Sequence, residues 1–412
     1  STDGRALAIL PGMANLHSHA FQRGMAGLTE YRTSHSDSFW TWRDAMYRFV
    51  DRMDPDDCRA IAELAYIEML ESGFTRVAEF HYLHHDVEGR PYGNPAEMGT
   101  QIVEAARATG IGLTLLPVLY SYGGFGSVLA DHGQRRFIND VDGFAQIVAR
   151  SRKAVATLPG ANLGIAPHSL RAVDKAGLGA AITLAGSDPI HMHIAEQVRE
   201  VEDCVGWSGQ RPVEWLLDNA EVDRRWCLIH ATHMTDDEGR RLAGTGAVAG
   251  LCPITESNLG DGTFEAEAWT SAGGALGFGT DSNVAIGLAE EVRQLEYSVR
   301  LQQQRRNVLA TETSSTGRTL FEAGVFGGAR ATQSRSVLEV GGRADFVVLD
   351  LQHPTLVGRF GDRILDAWMF GRSPGVVASV YVAGEEVVRE GRHVRREAVE
   401  QAYSARLPRL LL

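Results

Sequence analysis

Short, strongly apolar runs alternate along the chain with longer stretches in which apolar positions recur at helical spacing. The runs predict strands at Met13–His17, Arg76–Phe80, Gly112–Val118, Leu163–Ala166, Ile190–His193, Trp226–His230, Ala247–Leu251 and Ala275–Gly279. The stretches between them predict helices over Arg59–Ser72, Ala96–Thr109, Phe144–Thr157, Ala176–Ala185, Val213–Asn219, Asp236–Ala243 and Ala289–Gln304. Strand followed by helix, repeated, implies parallel strands joined by crossover helices. Eight such units predict a (β/α)8 TIM barrel occupying residues 11–335. An open doubly wound sheet is the rival arrangement, but no GxGxxG follows the first strand.

Two regions depart from the repeat. Residues 20–55 form a long first connection carrying Ser38, Phe39, Trp40, Thr41, Trp42 and Arg43, followed by a short helix. Connections of that length in compact domains usually bind or cover a ligand. Beyond residue 335, GGRADFVVLDL (341–351) and SVYVAGEEVVREG (379–391) alternate apolar and polar residues between glycine turns. They predict a small β-sandwich-like domain outside the barrel, drawn from residues 1–10 and 336–400. The chain begins with Ser and reaches a strand within ten residues, so an N-terminal portion of this small domain is expected to be missing.

Composition narrows the function classes. With 412 residues and 44% hydrophobic content, a large core is available. The formal net charge of −12 argues against a nucleic-acid or anionic-membrane partner, because no basic excess exists to neutralise phosphates. No apolar run is long enough to span a bilayer, and no signal-peptide pattern is present. Cys58, Cys204, Cys227 and Cys252 include no CxxC pair and read as buried thiols of a reduced, cytoplasmic protein. Only Lys153 and Lys175 are lysines among 40 basic residues, and both fall in helical segments.

The chemistry gathers at predicted strand ends. In Asn15-Leu16-His17-Ser18-His19, the two histidines are two apart and face the same side. At the C-terminal mouth of a barrel they could share one metal ion, although HxH alone also reads as two polar residues near a turn. In His191-Met192-His193-Ile194-Ala195-Glu196, His193 and Glu196 offer a ligand and a proton carrier, whereas His191 reads as a satisfied core histidine. His230 ends an apolar strand where a buried polar group needs a partner, and His233 reads as a capping or solvent-facing residue. Asp281 follows the eighth strand, where it could ligate a metal or simply cap a helix. Taken together, these strand ends supply what a mononuclear catalytic site needs: a few ligands, an open position for water and neighbouring acid–base groups.

HxH on the first strand, HxxE on the fifth, His on the sixth and TD on the eighth resemble the amidohydrolase superfamily, in particular its deaminase branch. Binuclear members bridge two metals through a carboxylated lysine on the fourth strand. Here that strand reads Asn162-Leu163-Gly164-Ile165-Ala166-Pro167-His168, without lysine. The resemblance therefore implies one divalent ion, Zn2+ first with Fe2+ also compatible, bound by His17, His19, His193 and Asp281. Glu196, His230 and Asp281 are then the catalytic residues. The strings HSHAFQRGMAG (17–27), FWTWRDAMY (39–47), EFHYLHH (79–85), APHSLRAV (166–173) and HIAEQ (193–197) are similar to the formimidoylglutamate deiminases of bacterial histidine degradation. This resemblance implies a small dicarboxylate substrate held by Gln22, Arg43, Tyr82, His168 and Arg171, and a homodimer. Arginine forks suit carboxylates. The alternative within the branch is a deaminase of guanine, an adenosine thioether or a chlorinated triazine, for which Trp40 and Trp42 would supply walls. A catalytically dead assembly barrel is a different class, and it would be expected to lack these ligands.

Overall fold

Strands that are covered by helices on one face and by the barrel interior on the other are buried on both and read as near-continuous apolar runs. Among the barrel strands, β2 (Met13–Ser18), β3 (Phe74–His81), β4 (Gly112–Leu119), β7 (Ile190–Ile194), β8 (Trp226–His230) and β9 (Val248–Leu251) are buried at every position. The computed structural model describes residues 6–32, 37–335 and 337–411. Residues 1–5 of the expected N-terminal strand region lie outside them.

In one parallel array β2, β3, β4 and β5 (Asn162–Leu163) pair in order, and β6 (Ala166–Pro167) also pairs with β4. In the other, β7, β8, β9 and β10 (Ala275–Phe278) pair in order. Parallel bridges from Ile165 to Ile190 and from Ser18 to Asp281 join the two arrays into a closed ring. The fourth barrel position is split into β5 and β6 because the backbone changes partner there: Gly164 N donates to Leu115 O, and Ile165 N to Pro189 O. The result is the (β/α)8 barrel that the alternation of elements predicts.

Helices Pro55–Ser72, Glu97–Thr109, Val141–Val155, Lys175–Ala185, Pro212–Asn219, Asp236–Thr245 and Leu288–Gln303 cover the barrel. Their starts are locally encoded. Asp54, Asp140, Asp174 and Thr235 accept backbone N–H groups as N-caps. Lys153 and Lys175 both lie in this helical layer. Among the described residues, no helix is long and apolar enough to cross a membrane.

The first connection differs from its expected form. Phe39–Val50 is a single helix, so the aromatic and arginine residues lie on it rather than on a loop ahead of it. Its start is set by Ser38, whose backbone N–H donates to Thr41 Oγ1 while Thr41 donates back to Ser38 O. Phe39, Met46, Tyr47, Phe49 and Val50 form its buried face. Residues 33–36 of this connection lie outside the described residues.

The chain ends meet in one antiparallel sheet, ordered β1 (Leu7–Pro11), β11 (Phe346–Asp350), β12 (Val377–Val382), β13 (Glu385–Arg389) and β14 (Arg392–His393). This is the small β-domain expected from the two ends, but the tail is not all strand. It also contains helices Asp362–Phe370 and Arg396–Leu411. The last helix packs on Pro55–Ser72, and Arg406 and Arg409 pair with Asp54 and Asp57 at that helix's start. Its apolar pattern is weak because only Val399 and Leu410 are buried.

Helix Thr316–Ala331 seals the ring where it closes, lying on β10 and β2. Its approach is so close that a Cβ on Gly327 would overlap the Leu276 carbonyl, and one on Gly328 would sit 2.9 Å from Ala14 O. The backbone there cannot recede without opening the barrel. Gly327→Ala is therefore expected to destabilise the protein by about 1–3 kcal/mol, the usual cost of overpacking. Calorimetry should show Tm lower by a few degrees; an unchanged Tm would mean that the seam yields.

Candidate active site

Four side chains converge where the ring closes. His17 and His19 stand on the same side at the end of β2, and Asp281 follows β10. The Nε2 atoms of His17 and His19 lie 3.3 and 3.2 Å from Asp281 Oδ1. His193, from β7, brings its Nε2 to 3.1 Å from His17 Nε2. Donor atoms of His17, His19, His193 and Asp281 all fall within 4.8 Å of one another, and all four residues are buried.

The local backbone is built for this. Thr280 N and Asp281 N both donate to His17 O at 3.0 Å, and His19 N donates to Asp281 O at 2.9 Å. Asp281 holds φ +43°, a left-handed conformation unfavourable for a non-glycine residue. A buried polar chain stabilises it. Asn15 Nδ2 donates to Thr280 Oγ1 (2.7 Å), Thr280 Oγ1 to Asn283 Oδ1 (2.6 Å), and Asn283 Nδ2 to Ser18 Oγ (3.1 Å).

The ring nitrogens are already sorted. His19 Nδ1 donates to Phe80 O (2.8 Å) and His193 Nδ1 to His168 O (3.1 Å). With Nδ1 protonated, each Nε2 presents a lone pair to the cluster. Burial pushes the His17 imidazole down to about 3, and it likewise lowers His19 and His193. Burial alone would raise Asp281, but its hydrogen bond with His17 and the neighbouring His17, His19 and His230 rings keep it below the ordinary carboxylate range. Neutral imidazoles facing an ionised carboxylate are the donor set of a divalent metal. Ligands 2.0–2.1 Å from a tetrahedral ion lie roughly 3.3 Å apart, so the 3.1–3.3 Å spacings fit such an ion.

Beside this cluster stand two acid–base groups. Burial raises the Glu196 carboxyl to about 7; Asp281 and Glu200 add to the rise, while His230 and Arg171 oppose it. Its Oε1 lies 3.7 Å from His230 Nε2, and its Oε2 lies 3.7 Å from Arg171 Nη2. Burial would lower His230, but Glu196, Glu256 and Asp281 outweigh it and raise the ring to about 10. His230 Nε2 is 3.9 Å from Asp281 Oδ2, so it bridges the two carboxylates. Its Nδ1 faces Glu256 Oε1 at 3.2 Å, and the same oxygen accepts from Cys252 N.

The cluster forms the floor of a pocket at the barrel mouth. Gln22, Arg43, Tyr82, His168 and Arg171 all line it. Gln22 Nε2 donates to Tyr82 OH at 2.7 Å, leaving Gln22 Oε1 buried and unpartnered. His168 Nδ1 meets Ser169 Oγ at 3.0 Å. The Arg43 guanidinium lies 4.7 Å from the Trp40 ring centre and 5.4 Å from that of Tyr47. Trp42 lines the pocket, whereas Trp40 packs behind it against Arg43 and Arg171. His191 lies below the floor, its Nε2 bound to Ala331 O at 2.7 Å. His233 Nε2 meets Asp261 O at 2.8 Å, outside the pocket lining.

Reasoning from sequence passed over Glu256, Tyr120, Glu200 and Tyr47. Tyr120 was reachable, since it directly follows β4 as the other site residues follow their strands. Glu256, Tyr47 and Glu200 sit on helices, where nothing in the local pattern separates them from solvated polar positions.

Over 98% of this chain and 90% of its own length, formimidoylglutamate deiminase of Pseudomonas aeruginosa is 51% identical. The crystal structure of an amidohydrolase from Brucella melitensis superposes with TM-score 0.93 at 52% identity, covering 98% of this chain and 90% of that one. A zinc-bound adenosine deaminase from Xanthomonas campestris has the same fold, with TM-score 0.81 at 22% identity over 98% of this chain and 86% of that one. The sequence model of the amidohydrolase family matches residues 8–387. By that match, and by a barrel mouth that gathers histidines and an aspartate from its strand ends, the chain belongs to the amidohydrolase family.

Proposed function

We propose that this protein is a formimidoylglutamate deiminase that hydrolyses N-formimino-L-glutamate to N-formyl-L-glutamate and ammonia during histidine degradation. The observation that carries the reading is Arg171. Its guanidinium is buried, lines the pocket above the His–Asp cluster, and has an Nε with no hydrogen-bond partner. A buried, under-used arginine fork beside an acid–base pair is the means of holding a carboxylate near a hydrolytic centre. The 51% identity to the Pseudomonas aeruginosa formimidoylglutamate deiminase supports the same substrate.

In this reading one divalent ion, zinc first with iron also compatible, would be held by His17, His19, His193 and Asp281, and it would supply a Lewis acid that acidifies a water molecule. The protein's residues do the remaining work. Arg43 and Arg171 hold the two substrate carboxylates, which a chain of net charge −12 does not attract at long range. Gln22, Tyr82 and His168 fix the middle of the substrate by hydrogen bonds. Glu196, raised to about 7, is substantially protonated near neutrality and donates to the imino nitrogen, which makes the formimino carbon electrophilic. Water adds to that carbon as Asp281 accepts its proton, and His230 orients the addition from between Glu196 and Asp281. The accepted proton passes to the amino nitrogen, the C–N bond breaks and ammonia leaves, while the hydroxyl proton returns to Glu196 and the carbon retains the new oxygen as the formyl carbonyl. We further propose a cytoplasmic homodimer with no nucleic-acid or membrane partner.

The deciding experiment is ammonia release from N-formimino-L-glutamate against guanine and adenosine. Turnover of the first far above the others is expected, and preferred turnover of a purine would overturn the assignment.

Metal analysis should find one ion per chain. Chelation should abolish activity, zinc should restore it, and His193→Ala should bind less than one ion. Two ions per chain would contradict the ligand set.

Glu196→Gln should retain the ion and lose at least ~100-fold in kcat, the scale of a general acid–base group. A Gln variant with normal turnover would exclude Glu196 from proton transfer.

Arg171→Met and Arg43→Met should each raise KM by roughly 10- to 100-fold, as expected for the loss of a charged hydrogen bond. For a formamidine lacking carboxylates, both variants should leave KM close to that of the parent protein. Equal losses on the two substrates would argue against carboxylate recognition.

A further inference from the structure

Glu200 is a fully buried carboxylate to which the proposed chemistry gives no task. It occupies the first turn of helix Val198–Ser208, immediately after Glu196. Its oxygens point backwards, out of the helix. Oε1 accepts from Ala195 N at 3.3 Å and Oε2 from Glu196 N at 3.2 Å. Ala195 holds φ +49°, so these bonds restrain a strained backbone one residue before Glu196. The same carboxylate reaches the other functional arm, with Oε2 lying 3.9 Å from Arg171 Nε.

Arg171 is thereby suspended between two carboxylates, 3.7 Å from Glu196 and 3.9 Å from Glu200. Neither contact is a short charged hydrogen bond, and Arg171 Nε remains buried without a partner. A buried cation with one neighbouring carboxylate would collapse onto it, because Coulomb attraction is strong where water is excluded. Two carboxylates, one facing Nη2 and the other facing Nε, share that pull. The ring of Phe39, 5.7 Å from the guanidinium carbon, and that of Trp40, at 5.6 Å, complete its surroundings.

We propose that Glu200 is a positioning residue that holds Arg171 away from Glu196, so that the arginine stays available to a substrate carboxylate and Glu196 stays aimed at the reacting carbon. This inference rests on the roles given above to Arg171 and Glu196. Glu200 touches no substrate; it acts through its two neighbours. Without its charge, Arg171 closes onto Glu196, and anchoring and proton delivery fail together.

The test uses the metal-loaded enzyme, with E200Q, E200D, R171M and the double variant E200Q/R171M. Glutarate, an unreactive dicarboxylate, is titrated by calorimetry alongside kcat and KM for N-formimino-L-glutamate, with Tm and metal content measured for each protein. E200Q should weaken glutarate binding and raise KM at least tenfold while also lowering kcat. E200D, which keeps the charge, should return KM to within threefold of the parent. In the R171M background, E200Q should change KM by less than twofold, because the residue through which it acts is gone. A merely structural role would lower Tm and the active fraction without this pattern in KM. The inference is overturned if E200Q binds glutarate within twofold of the parent, or if its full effect on KM persists in R171M. Should E200Q not fold, the Arg171 Nε–H resonance of the parent protein decides: it should shift on adding glutarate, and a stationary signal refutes an available Arg171. Failure of the substrate reading looks different, as a parent enzyme that releases no ammonia from N-formimino-L-glutamate or an R171M variant that binds glutarate normally.

Discussion

The backbone bridge between Ser18 and Asp281 is where the barrel closes, and the site depends on that seam. A closed ring of parallel strands has no free edge, but its last strand must meet its first at a matching height. Here the match places Asp281 beside His17 and His19, with His17 O accepting from two successive backbone N–H groups. There is no room for a side chain at the junction. A Cβ on Gly279 would lie 2.8 Å from His17 O, and one on Gly277 would press against Gly328 N at 3.0 Å. The small residues of the seam therefore serve the fold and the donor cluster together.

Strain marks the same rim. Among non-glycine residues, Ala195, His230, Ala231, Asp281 and Asn283 adopt positive φ. Each lies just beyond or at the end of a barrel strand, where the chain turns sharply to present a side chain inward. Such conformations persist only when their surroundings over-determine them. The buried chain through Asn15, Thr280, Asn283 and Ser18 does so for Asp281, and Glu200 does so for Ala195.

Exclusion of water then sets the electrostatics. Three imidazoles are held neutral by burial, so their lone pairs are free to bind a cation. The same burial acts oppositely on Glu196 and favours its protonated form. One His230 ring lies among Glu196, Glu256 and Asp281 and is therefore favoured as a cation, unlike its three neighbours. A single buried site thus holds neutral bases, an ionised carboxylate and a protonatable carboxyl within a few ångströms, each state fixed by its neighbours rather than by residue type.

Alternation of apolar runs with helical stretches determined parallel strands with crossover helices, because a strand covered on both faces has few sequence alternatives, and eight such units without a GxGxxG after the first strand pointed to the barrel rather than an open sheet. His17, His19, His193, His230 and Asp281 were legible for the same reason: each stands at the end of such a strand, and all strand ends of a barrel open on one mouth. The first connection was less legible. The Ser38–Thr41 cap and the buried face from Phe39 to Val50 make it one helix, while its aromatic residues resemble a binding loop in sequence. The tail helix Arg396–Leu411 was hidden because charges at Asp54 and Asp57, more than three hundred residues away in the chain, hold it in place. Tertiary structure alone decided the partners: that Glu256 would meet His230, that Trp40 would stand behind Arg43, and that Glu200 would reach both Glu196 and Arg171. Side chains on different helices come together only when the barrel closes, and no local periodicity records which of them will meet.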